Sequence, residues 1–119
     1  MEIKYVCSLG NCCHTSQFMK DNKLKKCSYP FDWILSNHNI IIHCIKDNFV
    51  KFLDKSYYVS YSDKKCFHKY YNDFMFFHHE PLINNDDYNY FIRCIDRFNN
   101  LLILFNLIKF GLYIVFSKI

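Results

Sequence analysis

Apolar positions along the chain recur at two periods, and the alternation between them predicts the order of elements. Ile3 to Ser8 is a brief apolar run that stops before Gly10, the pattern of a short buried strand giving way to a turn. Cys13 to about Lys20 reads as a helix with Phe18 and Met19 as its apolar contribution, followed by a polar connection from Asp21 to Lys26. Asn37 to Asp54 carries Ile41, Cys44, Ile45, Phe49, Phe52 and Leu53 at helical spacing, and Ser36, Asn37 or Asn39 can cap its start. Asp47 and Lys51, four residues apart, are placed to pair on its outer face. Tyr57 to Tyr61 and Tyr70 to Phe77 read as strands, with a polar turn or loop from Ser62 to Lys65 after the first. A last helix opens at Asn84–Asp87 with acidic residues in its first turn and runs to about Leu102. Its stripe is Tyr88, Phe91, Ile92, Ile95, Phe98 and Leu102.

The segment from Leu101 to Ile119 is almost wholly apolar. It reads as the end of that helix followed by a buried strand, Leu112 to Phe116. A membrane anchor is the lesser reading, because Lys109 would then sit near mid-bilayer at a cost of about 2.5–3.5 kcal/mol. The expected architecture is one small α/β domain over residues 1–119, a short sheet flanked by helices in the order β-α-α-β-β-α-β.

Composition changes this picture little. A hydrophobic content of 51% and an aromatic content of 20% are ample for a core, and two Gly and two Pro exclude collagen-like or long disordered stretches. The abundance of Asn, Ile, Lys, Tyr and Phe suits an AT-rich genome. The net charge of +4 is spread among acidic residues, without the contiguous basic patch that nucleic-acid binding requires, so no nucleic-acid partner is expected. Seven cysteines, an odd number, with no secretory leader, point to free thiols in a reducing compartment and to the cytoplasm.

Candidate chemistry centres on Ser8-Leu9-Gly10-Asn11-Cys12-Cys13-His14. A turn here delivers Cys13 to the first turn of a helix, where the positive end of the dipole favours a thiolate. His78 and His79 end a predicted strand, Glu80 follows, and either imidazole could serve as a base. Ser28-Tyr29-Pro30-Phe31-Asp32-Trp33 forms a stiff aromatic corner that either anchors a loop by packing or positions Asp32 beside a site. Cys12-Cys13-His14, Cys66-Phe67-His68 and His78-His79 hold zinc-type ligands, but their spacing is irregular and no Cys-x-x-Cys pair occurs, so no metal is expected. No phosphate-binding glycine loop, nucleophile elbow or two-histidine metalloprotease helix is present, and no cofactor is expected.

Taken in order, Ser8-Leu9-Gly10-x-x-Cys13, Ser28-Tyr29-Pro30-Phe31-Asp32-Trp33, Phe76-Phe77-His78-His79-Glu80 and Arg93-x-x-x-Arg97-Phe98 resemble a family described as "putative papain-like cysteine peptidases" (DUF1796-type). The resemblance implies Cys13 as nucleophile and a histidine followed by an acid as base. His79-Glu80 fits that pattern best, and His78 is the other position that could be meant. Asp32 is implied as a further polar member of the site, orienting or structural. Trp33, Arg93 and Arg97 are the implied substrate contacts, with an anionic group as the partner of the arginines and solvated charge or ion pairs as their bland role. The family occurs in bacteria, plants and large DNA viruses, and the composition suits the last, with host cytoplasm as the location. Family members continue beyond the arginine helix, so this chain resembles a truncated member. The implied activity is thiol-dependent hydrolysis of a peptide or other acyl substrate. The alternatives are a non-catalytic viral interaction protein retaining the fold and a small zinc-binding module.

Overall fold

In the computed structural model, which describes residues 5–10, 12–108 and 112–115, the first strand β1 is Tyr5–Ser8 and the first helix α1 is Cys13–Asp21. Then follow α2 (His38–Lys46), the single turn α3 (Val50–Leu53), a 3-10 turn (Lys55–Tyr57), and strands β2 (Tyr58–Ser62), β3 (Lys65–His68) and β4 (Asp73–Phe76). The long helix α4 (Asn85–Ile108) and the strand β5 (Leu112–Val115) are the last described elements. The domain is a small mixed α/β fold, as the hydrophobic pattern predicts.

Two sheets form rather than one. β1 pairs in parallel with β5, with Tyr5 opposite Leu112 and Ser8 opposite Val115, so the tail strand returns to the start of the chain. β2, β3 and β4 make an antiparallel meander in that order. Ile3, Lys109 and Phe116, which the sequence reading included in its terminal strands and anchor test, lie outside the described residues. Among the described residues, no helix is long and apolar enough to cross a membrane.

The core between these layers is aromatic. Phe31, Phe49, Phe52, Phe76, Phe91 and Phe98 are all buried, and their rings meet mostly edge-on at centroid separations between 4.9 and 6.1 Å. That geometry sets the positive ring edge against the negative ring face. One stripe of α4, Phe91, Cys94, Ile95, Phe98 and Leu101, closes the core from one side.

Several local expectations are corrected. The predicted helix from Asn37 to Asp54 is two pieces. Asn37 caps α2 by accepting the Ile40 N–H at 2.9 Å, as one of the sequence options has it. At the other end Phe49 N–H reaches the Cys44 carbonyl at 2.8 Å and Asn48 N–H reaches Ile45 at 3.3 Å, a Schellman ending with Asn48 left-handed at φ 53°. Phe49 is left-handed as well, at φ 60°, a conformation that costs about 1–2 kcal/mol and is offset by complete burial of its ring.

Lys51 does not pair with Asp47. Its backbone N–H donates to the Asp47 carboxylate, and its ammonium goes to the Tyr57 hydroxyl at 3.2 Å. Phe18 faces solvent, whereas Met19 is buried with Thr15 and Ser16. The strand β3, absent from the expected order, turns Cys66 and His68 inward, because in a strand alternate residues face the same side. The predicted strand from Tyr70 to Phe77 begins only at Asp73, after a turn with Asn72 left-handed at φ 52°.

Candidate active site

Three stretches far apart in sequence meet at one place. The first is the turn after β1. Gly10 N–H donates to the Ser8 hydroxyl at 3.1 Å, and the Gly10 carbonyl accepts from the Ser36 hydroxyl at 3.2 Å. The turn is therefore fastened both to itself and to the segment that follows the aromatic corner. Cys12 occupies the N-cap position of α1 in extended conformation, without a side-chain cap bond, and Cys13 is the first helical residue. A thiol there sits at the positive end of the helix dipole.

The second stretch is the corner. Tyr29 and Asp32 close a β-turn around Pro30 and Phe31, with Asp32 N–H on the Tyr29 carbonyl at 3.2 Å and Tyr29 N–H on the Asp32 carboxylate at 3.0 Å. Proline at the second turn position presets the backbone for this geometry. After the turn, Ile34 bridges Phe76 in antiparallel fashion and Leu35 N–H donates to the Met75 carbonyl at 2.9 Å. The corner is thereby a short extra edge on β4, and Trp33 falls beside the residues that leave that strand.

Those residues, Phe77 and His78, are the third stretch. The His78 ring stands edge-on to Trp33 with centroids 5.9 Å apart. Cys12, Cys13, His14, Trp33, Ile34, Leu35, Phe77 and His78 line a cavity of about 340 Å³. Cys13 is half-buried there and His78 is exposed at its edge. The arrangement places a thiol, an imidazole and the start of a helix around one partly open cavity.

Asp32 does not face that space. It is fully buried, and its carboxylate is ion-paired with Lys25, whose ammonium also donates to the Ser16 hydroxyl of α1. The same ammonium lies over the Trp33 ring, 4.9 Å from its centroid. Burial pushes the Asp32 carboxyl above the ordinary carboxylate range, against the opposing pull of Lys25 and of the Tyr29 N–H. Asp32 thus touches the site only through Lys25 and Trp33.

His79 points away from the cavity. Its ring stacks on Tyr90 of α4 with centroids 4.4 Å apart and planes at 11°, and it meets Phe91 edge-on. Glu80 is buried, and its carboxylate accepts the N–H groups of Leu82 and Ile83 at the turn before α4. Arg97 donates to the Ser28 carbonyl at 3.2 Å, tying α4 to the aromatic corner, and Arg93 is exposed on the same helix. Neither arginine lines the cavity. Among the described residues, no three His, Cys, Asp or Glu side chains converge as metal ligands would.

The family model described as "Putative papain-like cysteine peptidase (DUF1796)" matches residues 4–110. The chain belongs to this family. No curated protein and no solved structure matches it. Every residue of the cavity and of the Asp32–Lys25 pair falls within the span that matches the DUF1796 family.

Sequence reasoning passed over Lys25, Ile34, Leu35 and Phe77. Lys25 sits in a run of lysines that reads as a solvated connection, and only tertiary contact separates it from Lys23 and Lys26. Phe77 follows Phe76 in sequence, but strand alternation sends Phe76 to the core and Phe77 to the cavity rim.

The buried His68 and the half-buried His79 of this DUF1796 chain are expected to make stability fall in mild acid. Burial holds His79 and His68 below the ordinary imidazole value of about 6.5, and each has a buried Nδ1 without a partner. A depressed imidazole contributes stability that is present above the unfolded pKa and lost as pH falls through the folded one. Urea midpoints measured between pH 7.5 and 5 are therefore expected to decline, and His68→Gln with His79→Gln to flatten that decline.

Proposed function

We propose that the protein is a thiol-dependent hydrolase of peptidase type, with Cys13 as nucleophile and His78 as base. The observation that carries this reading is that Cys13 and His78 line the same cavity at the start of α1, with the Trp33 ring against the imidazole. His78 takes the thiol proton as the Cys13 sulfur attacks the acyl carbon of the substrate. Backbone N–H groups at the first turn of α1 stabilise the oxyanion that forms. The imidazolium then protonates the leaving group, and a thioester remains on Cys13. His78 next takes a proton from water, whose oxygen attacks the thioester and restores the thiol as the acid product leaves.

In this reading Asp32 is a positioning residue. Through Lys25 it holds α1 by Ser16 and holds Trp33, so the nucleophile's helix and the base's neighbour are fastened to one buried pair. His79 keeps its place in the packing against α4, and Arg97 supports the corner rather than the substrate. Seven free thiols suit a reducing compartment such as cytoplasm. A second reading, a non-catalytic protein that retains the fold, is favoured by one feature: among the described residues, no carboxylate lines the cavity to orient His78.

Alkylation with iodoacetamide at neutral pH separates the two. Burial pushes the Cys94 thiol up to about 11 and those of Cys44 and Cys66 up to about 12, while Cys7 and Cys12 are also buried. Cys27 is the only other thiol that is not buried. Peptide mapping is expected to find Cys13 modified well ahead of Cys27 and of the five buried thiols. Labelling of Cys13 no faster than Cys27 would sink the catalytic reading.

A further inference from the structure

The cavity beside Cys13 is built from apolar walls. Ile34 forms its back, 1% exposed and fixed by the bridge to Phe76. Trp33 is held from behind by the Lys25 ammonium, whose charge is already committed to Asp32. Leu35 is half-buried on one side, and Phe77 stands at the rim, 41% exposed, with the Lys65 ammonium 4.4 Å from its ring centroid. Among the described residues, the titratable side chains on the wall are Cys12, Cys13, His14 and His78. Among the described residues, no Asp, Glu, Lys or Arg lines it.

A charged group entering such a space would give up part of its hydration shell against walls that carry no counter-charge of their own, which is costly. An apolar group would exchange water for ring and aliphatic surface and gain by it. The volume of about 340 Å³ lies at the lower end of the range for small-molecule sites, roughly 300–1,000 Å³, so it suits one side chain with its adjoining acyl unit rather than an extended ligand.

We propose that this cavity selects an uncharged, apolar acyl group, an aliphatic or aromatic residue whose carbonyl carbon is presented to the Cys13 sulfur, with Trp33, Ile34, Leu35 and Phe77 as the walls of its subsite. This rests on the hydrolase reading and adds to it the substrate class. Specificity then lies in the segment Trp33–Leu35 and in Phe77, whereas the chemistry lies in Cys13 and His78.

The test uses the full chain and acetyl-amino-acyl chloromethyl ketones bearing leucine, phenylalanine, lysine or glutamate side chains. Rates of Cys13 modification, read by mass spectrometry, are divided by each probe's rate with glutathione. Iodoacetamide, too small to need the subsite, reports thiol activation separately. The leucine and phenylalanine probes are expected to exceed the lysine and glutamate probes by about 10-fold or more, the scale on which apolar pockets discriminate.

Phe77→Glu, at an exposed rim position, is expected to erase that preference and favour the lysine probe, each rate being divided by the same variant's iodoacetamide rate. Leu35→Lys asks the same question from the other wall and is expected to favour the glutamate probe. Equal normalised rates with fast iodoacetamide labelling would overturn the subsite and leave the nucleophile standing. Slow iodoacetamide labelling of Cys13 would overturn both. Selectivity unchanged in both folded variants, checked by circular dichroism, would also overturn it.

Discussion

His78→Ala is expected to slow the alkylation of Cys13 at neutral pH by about 10²-fold, the lower end of what a positioned general base contributes. His79→Ala is expected to leave that rate near wild type. The difference follows from where the two rings lie: His78 shares the cavity with Cys13, and His79 is stacked on Tyr90. Loss of the His79 stack is instead read as lower stability, by about 0.5–1.5 kcal/mol beyond the area it buries. Rates of iodoacetamide modification against pH, with urea unfolding of the same variants, check both halves. A larger rate effect at His79 than at His78 would move the base off the cavity and remove the basis of the proposed mechanism.

The second large effect is at Lys25. Its side chain is 11% exposed and its partner Asp32 is wholly buried, so removing the ammonium leaves a buried carboxylate without its counter-charge. Lys25→Met is expected to cost about 3–5 kcal/mol at pH 7, measured by chemical denaturation. The pH dependence has a definite sign. The Asp32 carboxyl is already held above its ordinary range, and loss of Lys25 removes the largest influences that lower it. A carboxyl raised in the folded state contributes stability that is full below its unfolded pKa and lost as pH rises through the folded value. The deficit of Lys25→Met is therefore expected to shrink at pH 5 relative to pH 7.

The double variant Lys25→Met with Asp32→Leu, which replaces the pair by apolar groups, is expected to recover much of the loss. It would restore neither the Tyr29 N–H bond to Asp32, nor the hydrogen bond to Ser16, nor the charge over Trp33, so stability should return in part while Cys13 reactivity stays below wild type. That split distinguishes a positioning role from a purely structural one. A single variant within about 0.5 kcal/mol of wild type would show the pair to be surface-like.

What the sequence by itself determined is local. The turn at Gly10 ahead of α1, the proline turn at Tyr29–Asp32, the Asn37 cap and the acidic start of α4 are each written in residues within a few positions of one another. The four family motifs were legible in the same way, and the family match covers them. Helix periodicity found the α4 stripe because a helix face repeats within the segment itself.

Non-local pairings were not legible. That Asn48 ends α2 was available as a left-handed asparagine signal, but the continuing apolar stripe from Cys44 to Phe52 hid it. β3 was missed because its four residues carry an inward histidine, and a buried polar residue breaks the alternation on which strand reading depends. Lys25 reads as solvated until Asp32 is brought to it across the turn. His78 and His79 are adjacent in sequence and chemically the same. Only the bridge between Ile34 and Phe76, by setting Trp33 beside the exit of β4, sends one imidazole to the cavity with Cys13 and the other to α4. Residue types are fixed by the chain, but which of two neighbouring side chains meets a distant thiol depends on strand register, and register is settled by tertiary packing.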